Sequence, residues 1–358
     1  MNAVYALTLN IEGDARDVWP FTSHERSHFE RYDVSKLAQW DIVFSHAEEL
    51  GIIMHFITQE KENELILDDG YTFVQRKLYY RELVARFGYH KNIIWNMGEE
   101  NGAAPFWRQG QNDQQRFAMI RYLKEIDPYN HPVVIHTLPN QEERKHILEP
   151  LLGFDKLDGI SMQVSNVFKI NEDFRYWVDE SSKSNRRWIM MMDEIGPWHT
   201  GTRTDADHPA HDTLRHEALW GTLMAGGAGV EWYFGWHKPP NDLNAEDWRS
   251  RENIWKQSLI ARRIMEEVPY TEMQSRSDLS SGEDILYMSK GDEIFLIYFK
   301  SAKSTTVNLP DGDFDLTWFN PLTGEASDKA KLDGKSANLG DPPGNKQQDW
   351  VAIVKIRG

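Results

Sequence analysis

Apolar runs of strand length alternate with amphipathic stretches along the first three quarters of the chain. Seven runs predict strands, at residues 3–10, 51–58, 92–95, 132–137, 158–164, 188–194 and 229–236. The stretches between them repeat apolar residues at helical spacing, as in residues 36–49 and 74–87. Strict alternation of strand and helix is typical of a parallel sheet covered by helices.

The alternation predicts the α/β fold class and, within it, a (β/α)8-type TIM barrel. Such a barrel needs eight strands, whereas the pattern predicts seven, so we expect the first strand to be missing. An open seven-stranded sheet is the alternative. A missing strand would expose a sheet edge, which a loop or a second copy of the chain, in a homo-oligomer, would cover.

The pattern changes near residue 275, where short alternating runs are separated by Gly, Asp and Pro turns. This pattern predicts a small antiparallel β-sandwich. We therefore expect two domains, a barrel at residues 1–272 and a C-terminal sandwich at residues 273–358.

Two of the predicted strands end in adjacent carboxylates. NIIWNMGEENG supplies Glu99 and Glu100, and RWIMMMDEIG supplies Asp193 and Glu194. Barrel enzymes keep their chemistry at the carboxyl ends of the strands, and cleavage of a glycosidic bond uses two facing carboxyl groups. The sequence therefore predicts a glycoside hydrolase.

Composition and charge narrow the alternatives. The net charge of −16 argues against a nucleic-acid partner, because a polyanion would be repelled. The absence of cysteine excludes disulfides and thiolate metal sites. No apolar run approaches the roughly 20 residues of a membrane span, and no signal peptide is recognised, so we expect no membrane association and secretion is not indicated by the sequence itself.

Several segments resemble a known family. WNMGEEN resembles the end of the fourth strand in clan A glycoside hydrolases, and MMMDEIG resembles their seventh-strand nucleophile segment. TLNIEGDARDVWPF, LMAGGAGVEWYFG and WFNPLTGE are similar to segments of bacterial barrel glycosidases that carry a C-terminal domain described as collagen-binding. The resemblance implies a barrel that lacks its first strand here.

The same resemblance implies a retaining mechanism with Glu100 as acid/base and Glu194 as nucleophile. Glu99 stands where the family has Asn, and we expect Glu99 and Asp193 to be structural hydrogen-bonding groups. The resemblance also implies a plant or algal polysaccharide as substrate, and a secreted or periplasmic location.

Other strand ends supply candidates for sugar binding. A histidine or glutamine there could bind a hydroxyl or orient a carboxylate, a tryptophan could stack on a sugar or pack in the core, and Asn101 could orient substrate or cap its turn. His55, inside its strand, is interpreted as a core histidine. The substrate-binding candidates are Asn10, Glu99, Asn101, His136, Gln163, Trp232, Trp236 and His211.

A loop rich in histidine and aspartate follows the sixth strand, with His199, His208 and His216 among its residues. Its spacing matches no metal-binding motif, and no phosphate-binding glycine loop is present, so we expect neither metal nor cofactor. Two other functions stay open: a non-catalytic carbohydrate-binding protein on a degenerate barrel, and a metal-dependent hydrolase that uses this loop.

Overall fold

The described residues form two β-sheets, the first of which is parallel. The computed structural model describes residues 2–11, 18–196, 201–234, 247–279, 282, 284–332 and 338–357. Seven parallel strands follow one another in chain order. They are β1 (Ala3–Leu7), β2 (Ile53–Ile57), β3 (Ile93–Asn96), β4 (Val133–His136), β5 (Gly159–Val164), β6 (Ile189–Ile195) and β7 (Gly229–Val230). The expected TIM-type architecture with seven strands is confirmed.

Helices connect the strands, as the alternating pattern predicts. They are α1 (Val34–Glu49), α2 (Val74–Phe87), α3 (Asp113–Ile126), α4 (Gln141–Leu148), α5 (Ile170–Lys183), a π-helix (Leu214–Trp220) that continues into α6 (Gly221–Met224), and α7 (Glu252–Met265). Local chemistry sets where they begin. The Asp33 carboxylate accepts two backbone N–H bonds at the start of α1, and Asn112 forms a reciprocal capping box with Gln115 at α3. None of the described helices is long and apolar enough to cross a membrane.

The parallel sheet curves so that its strands share one interior. The ring of Tyr5, on β1, lies 5.1 Å from that of His55 on β2 and 6.5 Å from that of His136 on β4. The charge of Glu231, which follows β7, also acts on the Tyr5 hydroxyl. Side chains from the first and last strands therefore face the same space, as in a barrel.

The C-terminal sheet is antiparallel and has six strands. They are β8 (Gln274–Ser275), β9 (Ile285–Lys290), β10 (Ile294–Phe299), β11 (Phe314–Phe319), β12 (Ala330–Leu332) and β13 (Trp350–Ile356), in the order β12-β11-β13-β10-β9-β8. Alternate residues of β10 face opposite sides: Leu296 and Tyr298 join the barrel core, whereas Phe295 and Ile297 join a second core. The sheet thus packs one face on the barrel, where Tyr298 stacks on Trp220 with ring centroids 4.9 Å apart.

The predicted strand at residues 229–236 is shorter in the structure. It ends at Val230, because β7 pairs only with β6 in the described residues and its last ladder bond runs from the Glu231 N–H to the Met192 carbonyl, at 2.7 Å. The chain leaves the sheet at the point where it could present Glu231 to the barrel interior.

Candidate active site

The carboxyl ends of three strands bring the first group of site residues together. One ring nitrogen of His136 and one carboxylate oxygen each of Glu99 and Glu194 all lie within 4.8 Å of one another. The His136 Nε2 atom is 4.0 Å from the Glu194 Oε2 atom. Two carboxylates therefore lie side by side at the edge of the sheet where barrel enzymes carry their active sites.

A β-bulge supplies a second group beside the first. In the pairing of β5 with β6, Met162 lies opposite Met192 and Gln163 opposite Glu194, which leaves Asp193 as the extra residue. In a regular strand, neighbouring side chains point to opposite faces, and a bulge re-aims one of them. Asp193 and Glu194 consequently both reach the interior.

The second group consists of His55, Asp193 and Glu231. One nitrogen or oxygen atom from each lies within 4.8 Å of the others. The His55 Nδ1 atom is 3.8 Å from the Asp193 Oδ2 atom, which is buried and has no hydrogen-bond partner among the described residues. The Asp193 Oδ2 atom is thus buried in the interior without the hydrogen bond that a buried oxygen normally accepts.

Hydrogen bonds around Asn96 and His136 fix where the histidine protons lie. The Asn96 Oδ1 atom accepts from the backbone N–H groups of Gly98 and His136, both at 3.2 Å, so its Nδ2 group donates to His55 Nε2 at 3.2 Å. The backbone N–H of Glu100 donates to His136 Nδ1 at 3.1 Å. Each neutral ring therefore carries its proton on the other nitrogen.

Those protonated nitrogens face carboxylates. His55 Nδ1–H faces Asp193, and His136 Nε2–H faces Glu194, at separations too long for direct hydrogen bonds. One hydroxyl oxygen placed between each pair would lie at hydrogen-bonding distance from both. Both groups also have the residue types that hold a metal ion, but a metal-bound histidine normally donates its other N–H. Here that other nitrogen accepts, so we interpret the histidines as donors.

Burial controls the protonation of this interior. It raises the pKa of Asp193 to about 7 and lowers the pKa of His55 to about 3. Burial also lowers the pKa of His136 to about 3, with smaller contributions from His55 and Arg144. The pKa of Tyr5 is well above its usual value, first because of burial and then because of four carboxylates: Glu99, Glu231, Asp193 and Glu194. The histidines are thus neutral at pH 7.

Glu100 lies in the sharp turn after β3. Its φ of +43° is in the left-handed region, and its backbone is fixed by the bond to His136. Its charge acts on the buried ammonium of Lys61, whose pKa is lowered by burial. Gly98 precedes it with a φ of +152°, and a Cβ there would meet the Gln59 amide at 3.0 Å. The turn therefore presents Glu99 and Glu100 to different neighbours.

The Asn101 side chain links this turn to neighbouring residues by hydrogen bonds. Its Nδ2 group donates to the Glu64 carboxylate at 2.8 Å and to the Gln111 side chain at 2.7 Å. Its Oδ1 atom accepts from Arg116 at 3.3 Å. Of the two roles open for Asn101, orienting substrate or capping the turn, these contacts favour the second, because the protein itself engages the amide.

Gln163 lies near the end of β5 and Asn10 lies in the loop after β1, and both are buried. The Gln163 Oε1 atom and both polar atoms of the Asn10 amide have no hydrogen-bond partner among the described residues. Buried amides normally find partners, so both keep the capacity to bind a ligand hydroxyl. Their substrate-binding role stays a prediction.

Two other candidates pack within the protein. Trp232 is buried and donates its indole N–H to Ser258, on α7, at 2.9 Å, which favours packing over the sugar platform; the platform role stays a prediction. His211 is also buried, with its Nε2 atom 2.7 Å from the Asp205 carboxylate, and it holds its own loop in place. Trp236 and His199 lie outside the described residues.

The sequence does not predict Tyr5 or Glu231 as interior site residues, whereas it places Asp193 at this edge as a structural hydrogen-bonding group and His55 in the core without chemistry. His55 is buried as expected, but it faces Asp193. The sequence signal for Tyr5, His55 and Glu231 is weak, because each is a single polar side chain in or beside an apolar strand. Asp193 has a clearer signal, because it directly precedes Glu194.

Comparisons with known proteins agree with this architecture. Residues 271–355 match the family described as "Putative collagen-binding domain of a collagenase". No curated protein matches the chain. Among solved structures, one entitled "Glycoside hydrolase" is similar with a TM-score of 0.72 at 14% identity, over 99% of this chain and 85% of the other.

A second solved structure is a glycoside hydrolase family 5 protein from Bacteroides vulgatus ATCC 8482. It has a TM-score of 0.66 at 14% identity, over 89% of this chain and 74% of the other. At such identities the likeness concerns the fold. The chain therefore has the TIM-barrel fold of solved glycoside hydrolases, followed by a domain that matches the collagen-binding family model.

Proposed function

We propose that the protein is a glycoside hydrolase that retains the configuration of the sugar. The observation that carries the proposal is the position of Glu194 beside His136 and Glu99, within 4.8 Å, at the carboxyl ends of a barrel sheet, where the turn after β3 also carries Glu100. Retaining enzymes use two carboxyl groups about 5–5.5 Å apart, one as nucleophile and one as acid and then base.

Glu194 is the proposed nucleophile. It attacks the anomeric carbon while the acid/base residue protonates the leaving oxygen. The acid/base residue, now ionised, then activates a water molecule that cleaves the glycosyl–enzyme ester. The His136 N–H faces Glu194 across 4.0 Å, a gap that a sugar hydroxyl can fill by accepting from the histidine and donating to the carboxylate.

The proposed acid/base is Glu100, the role that the sequence resemblance implies. Glu99, its neighbour, lies beside Glu194 and is the second candidate. Two ionised carboxylates at that separation repel each other, which favours a state in which one of them is protonated. The protonated carboxyl group of such a pair can donate a hydrogen bond to a sugar hydroxyl, and it can also serve as the catalytic acid.

Single substitutions distinguish the two candidates. The acid is needed most when the leaving group is basic, so replacing the acid/base with Gln should reduce turnover of an alkyl or sugar leaving group about 10²–10⁴-fold. Turnover of a dinitrophenyl glycoside, whose leaving group needs no proton, should suffer far less in its first step. We expect this leaving-group dependence for Glu100→Gln, whereas Glu99→Gln should reduce turnover of both substrates similarly.

The proposed substrate is a plant or algal polysaccharide or its oligosaccharides, and the proposed location is secreted or periplasmic. A panel of aryl glycosides and soluble polysaccharides tests the activity. Glu194→Gln should abolish turnover while sugar binding persists. Binding by the wild-type protein with no turnover of any substrate would instead favour the non-catalytic carbohydrate-binding protein.

A further inference from the structure

Four exposed aromatic side chains lie on the loops that follow β2 and β3. Tyr71 is 40% exposed and Phe73 60%, on the first loop, and Phe106 is 61% exposed and Trp107 41%, on the second. We call these four residues the aromatic rim. Both loops leave the carboxyl ends of their strands, and the second loop also carries Glu99 and Glu100.

The distribution of exposed phenylalanine marks this edge of the barrel. Among the described residues, three phenylalanines are exposed, Phe73, Phe106 and Phe168, and each follows the carboxyl end of a strand. Single exposed apolar residues are normal on protein surfaces, but clusters mark binding sites. At the opposite edge the exposed rings are Tyr89 and Tyr129, and the Tyr89 hydroxyl donates to Asp41 at 2.9 Å.

The rings of Tyr71 and Phe73 contact each other, and the backbone that carries Trp107 is hydrogen-bonded. Tyr71 and Phe73 stack with centroids 5.2 Å apart and planes within 7° of parallel. Trp107 and Ala104 exchange two backbone hydrogen bonds, at 2.8 and 3.1 Å. A ring that already contacts another ring, as in Tyr71 and Phe73, loses less freedom when a ligand stacks on it, and an ordered backbone limits the motion of the loop at Trp107; both favour binding.

Hydrogen bonds tie the two loops to each other and to the turn after β3. Gln111 donates to the Gly70 carbonyl at 2.8 Å, next to Tyr71. Glu64, in the first loop, accepts from the Asn101 side chain and from the Gly102 N–H, at 2.8 and 3.0 Å. The aromatic rim and the proposed acid/base therefore share one rigid base.

An open surface cavity of about 390 Å³ lies beside the chain segment that carries Phe106 and Trp107, although neither ring lines it. Its lining includes their chain neighbours Pro105 and Arg108, together with Glu142 from the first turn of α4 and His146 from its last turn. Apolar surface beside a few charged groups is the composition of a ligand site, and saccharides offer both flat C–H faces and hydroxyl groups.

We propose that the aromatic rim and this cavity bind the leaving-group side of a saccharide several sugar units long, so that cleavage occurs within the chain. This rests on the proposed function, because the acid/base protonates the leaving oxygen and lies on the same loop. Sugar faces stack on the rings, and hydroxyl groups bind Arg108, Glu142 and His146. The substrate class is thus an oligosaccharide or polysaccharide.

Calorimetry on the Glu194→Gln protein tests the inference without turnover. The probes are hexasaccharides and disaccharides from cellulose, mannan, xylan and agarose. Phe106→Ala with Trp107→Ala should weaken hexasaccharide binding about tenfold more than disaccharide binding, since ring surface beyond the reach of the disaccharide is removed. Tyr129→Ala, which removes an equally exposed ring from the opposite edge, should leave both affinities unchanged.

Three outcomes would overturn the inference: no hexasaccharide binds, both lengths lose affinity equally, or Tyr129→Ala has the same effect. The proposed function fails separately. If the wild-type protein turns over no aryl glycoside and no polysaccharide, yet hexasaccharide binding still depends on the aromatic rim, then the catalytic assignment is wrong and the binding surface stands.

Discussion

Two buried aspartates of this protein, Asp349 and Asp193, differ in how fully the protein hydrogen-bonds their carboxyl groups. Asp349 lies between the barrel and the C-terminal sheet, where Arg215 donates to both of its oxygens at 2.8 and 3.0 Å and the Tyr298 hydroxyl donates at 2.8 Å. Asp193 lies in the barrel interior with one oxygen unbonded among the described residues and His55 at 3.8 Å.

Their pKa values follow from these neighbours. Burial alone would raise the pKa of Asp349, but His216 and Arg215 lower it to about 2. Burial raises the pKa of Asp193 to about 7, because no comparable partner opposes it. A buried carboxylate that the protein satisfies joins two domains, whereas one that it leaves unsatisfied is available to a ligand.

The largest expected effect is on stability at Asp349. Asp349→Asn removes the buried anion of Arg215 and leaves only the exposed Asp212 as its partner, which should cost about 3–5 kcal/mol of unfolding free energy. Urea denaturation measures it. Asp212→Asn is the matched control, because the exposed Asp212 pairs with the same arginine at 2.6 Å, and an exposed pair contributes about 1 kcal/mol or less.

The pH dependence of Asp349 has a definite sign. Its folded-state pKa is lowered, so its contribution is complete above the unfolded value of about 4 and is lost as the pH falls through 2. Equal losses for Asp349→Asn and Asp212→Asn would contradict the structural role of Asp349.

Asp193→Asn should act in the other direction. Because the folded-state pKa of Asp193 is raised, the wild-type protein loses stability as the pH rises from about 4 through 7, where the carboxyl ionises in the interior. The variant avoids this cost. Between pH 4 and pH 8 the stability of the variant relative to wild type should rise by on the order of 2–4 kcal/mol.

Urea denaturation of both proteins at pH 4 and pH 8 measures this shift. Other buried carboxyls, such as Glu64, whose pKa burial raises to about 7, are present in both proteins. Their contributions therefore cancel in the difference between wild type and variant. A difference between the two proteins that does not change with pH would show that Asp193 ionises like an ordinary aspartate.

The next effect is on turnover at His136. His136→Ala removes the acceptor that holds the Glu100 N–H and the donor that faces Glu194, so kcat should fall about 10–100-fold. KM should change less, because most contacts with the sugar remain. Steady-state kinetics separates the two constants, and a rise in KM with unchanged kcat would argue against a role in positioning.

The smallest effect is expected at Trp232. Trp232→Phe loses the indole N–H bond to Ser258 and some packing, which should cost about 1–2 kcal/mol of stability. Sugar affinity should not change, since the ring is buried. Thermal unfolding and calorimetry measure the two quantities, and weaker sugar binding with unchanged stability would restore the platform interpretation.

Sequence patterns predicted most of the fold because the barrel is built from local repeats. The periodicity placed seven strands in order, and the carboxylates after two of them led to the same edge of the sheet. The interior partners Tyr5 and His55 could not be predicted, because single polar residues in apolar strands give no indication of what they will face.

Two other features depend on long-range contacts. The bulge opposite Met162 and Gln163 decides that Asp193 joins Glu194 in the interior, and strand periodicity carries no sign of it. The burial of Trp232, whose indole N–H donates to Ser258 on α7, likewise depends on a helix that follows it in the chain. The register of two strands and the packing of a later helix are properties of the whole fold.

The central claim is that Glu194 attacks the sugar, and mass spectrometry of a trapped intermediate tests it most directly. The wild-type protein is incubated with activated 2-deoxy-2-fluoro glycosides, which form the glycosyl–enzyme ester quickly and release it slowly. The account predicts one added glycosyl group, located on Glu194 and absent from the Glu194→Gln protein. A glycosyl group on another carboxylate, or hydrolysis of these sugars with inversion, would contradict it.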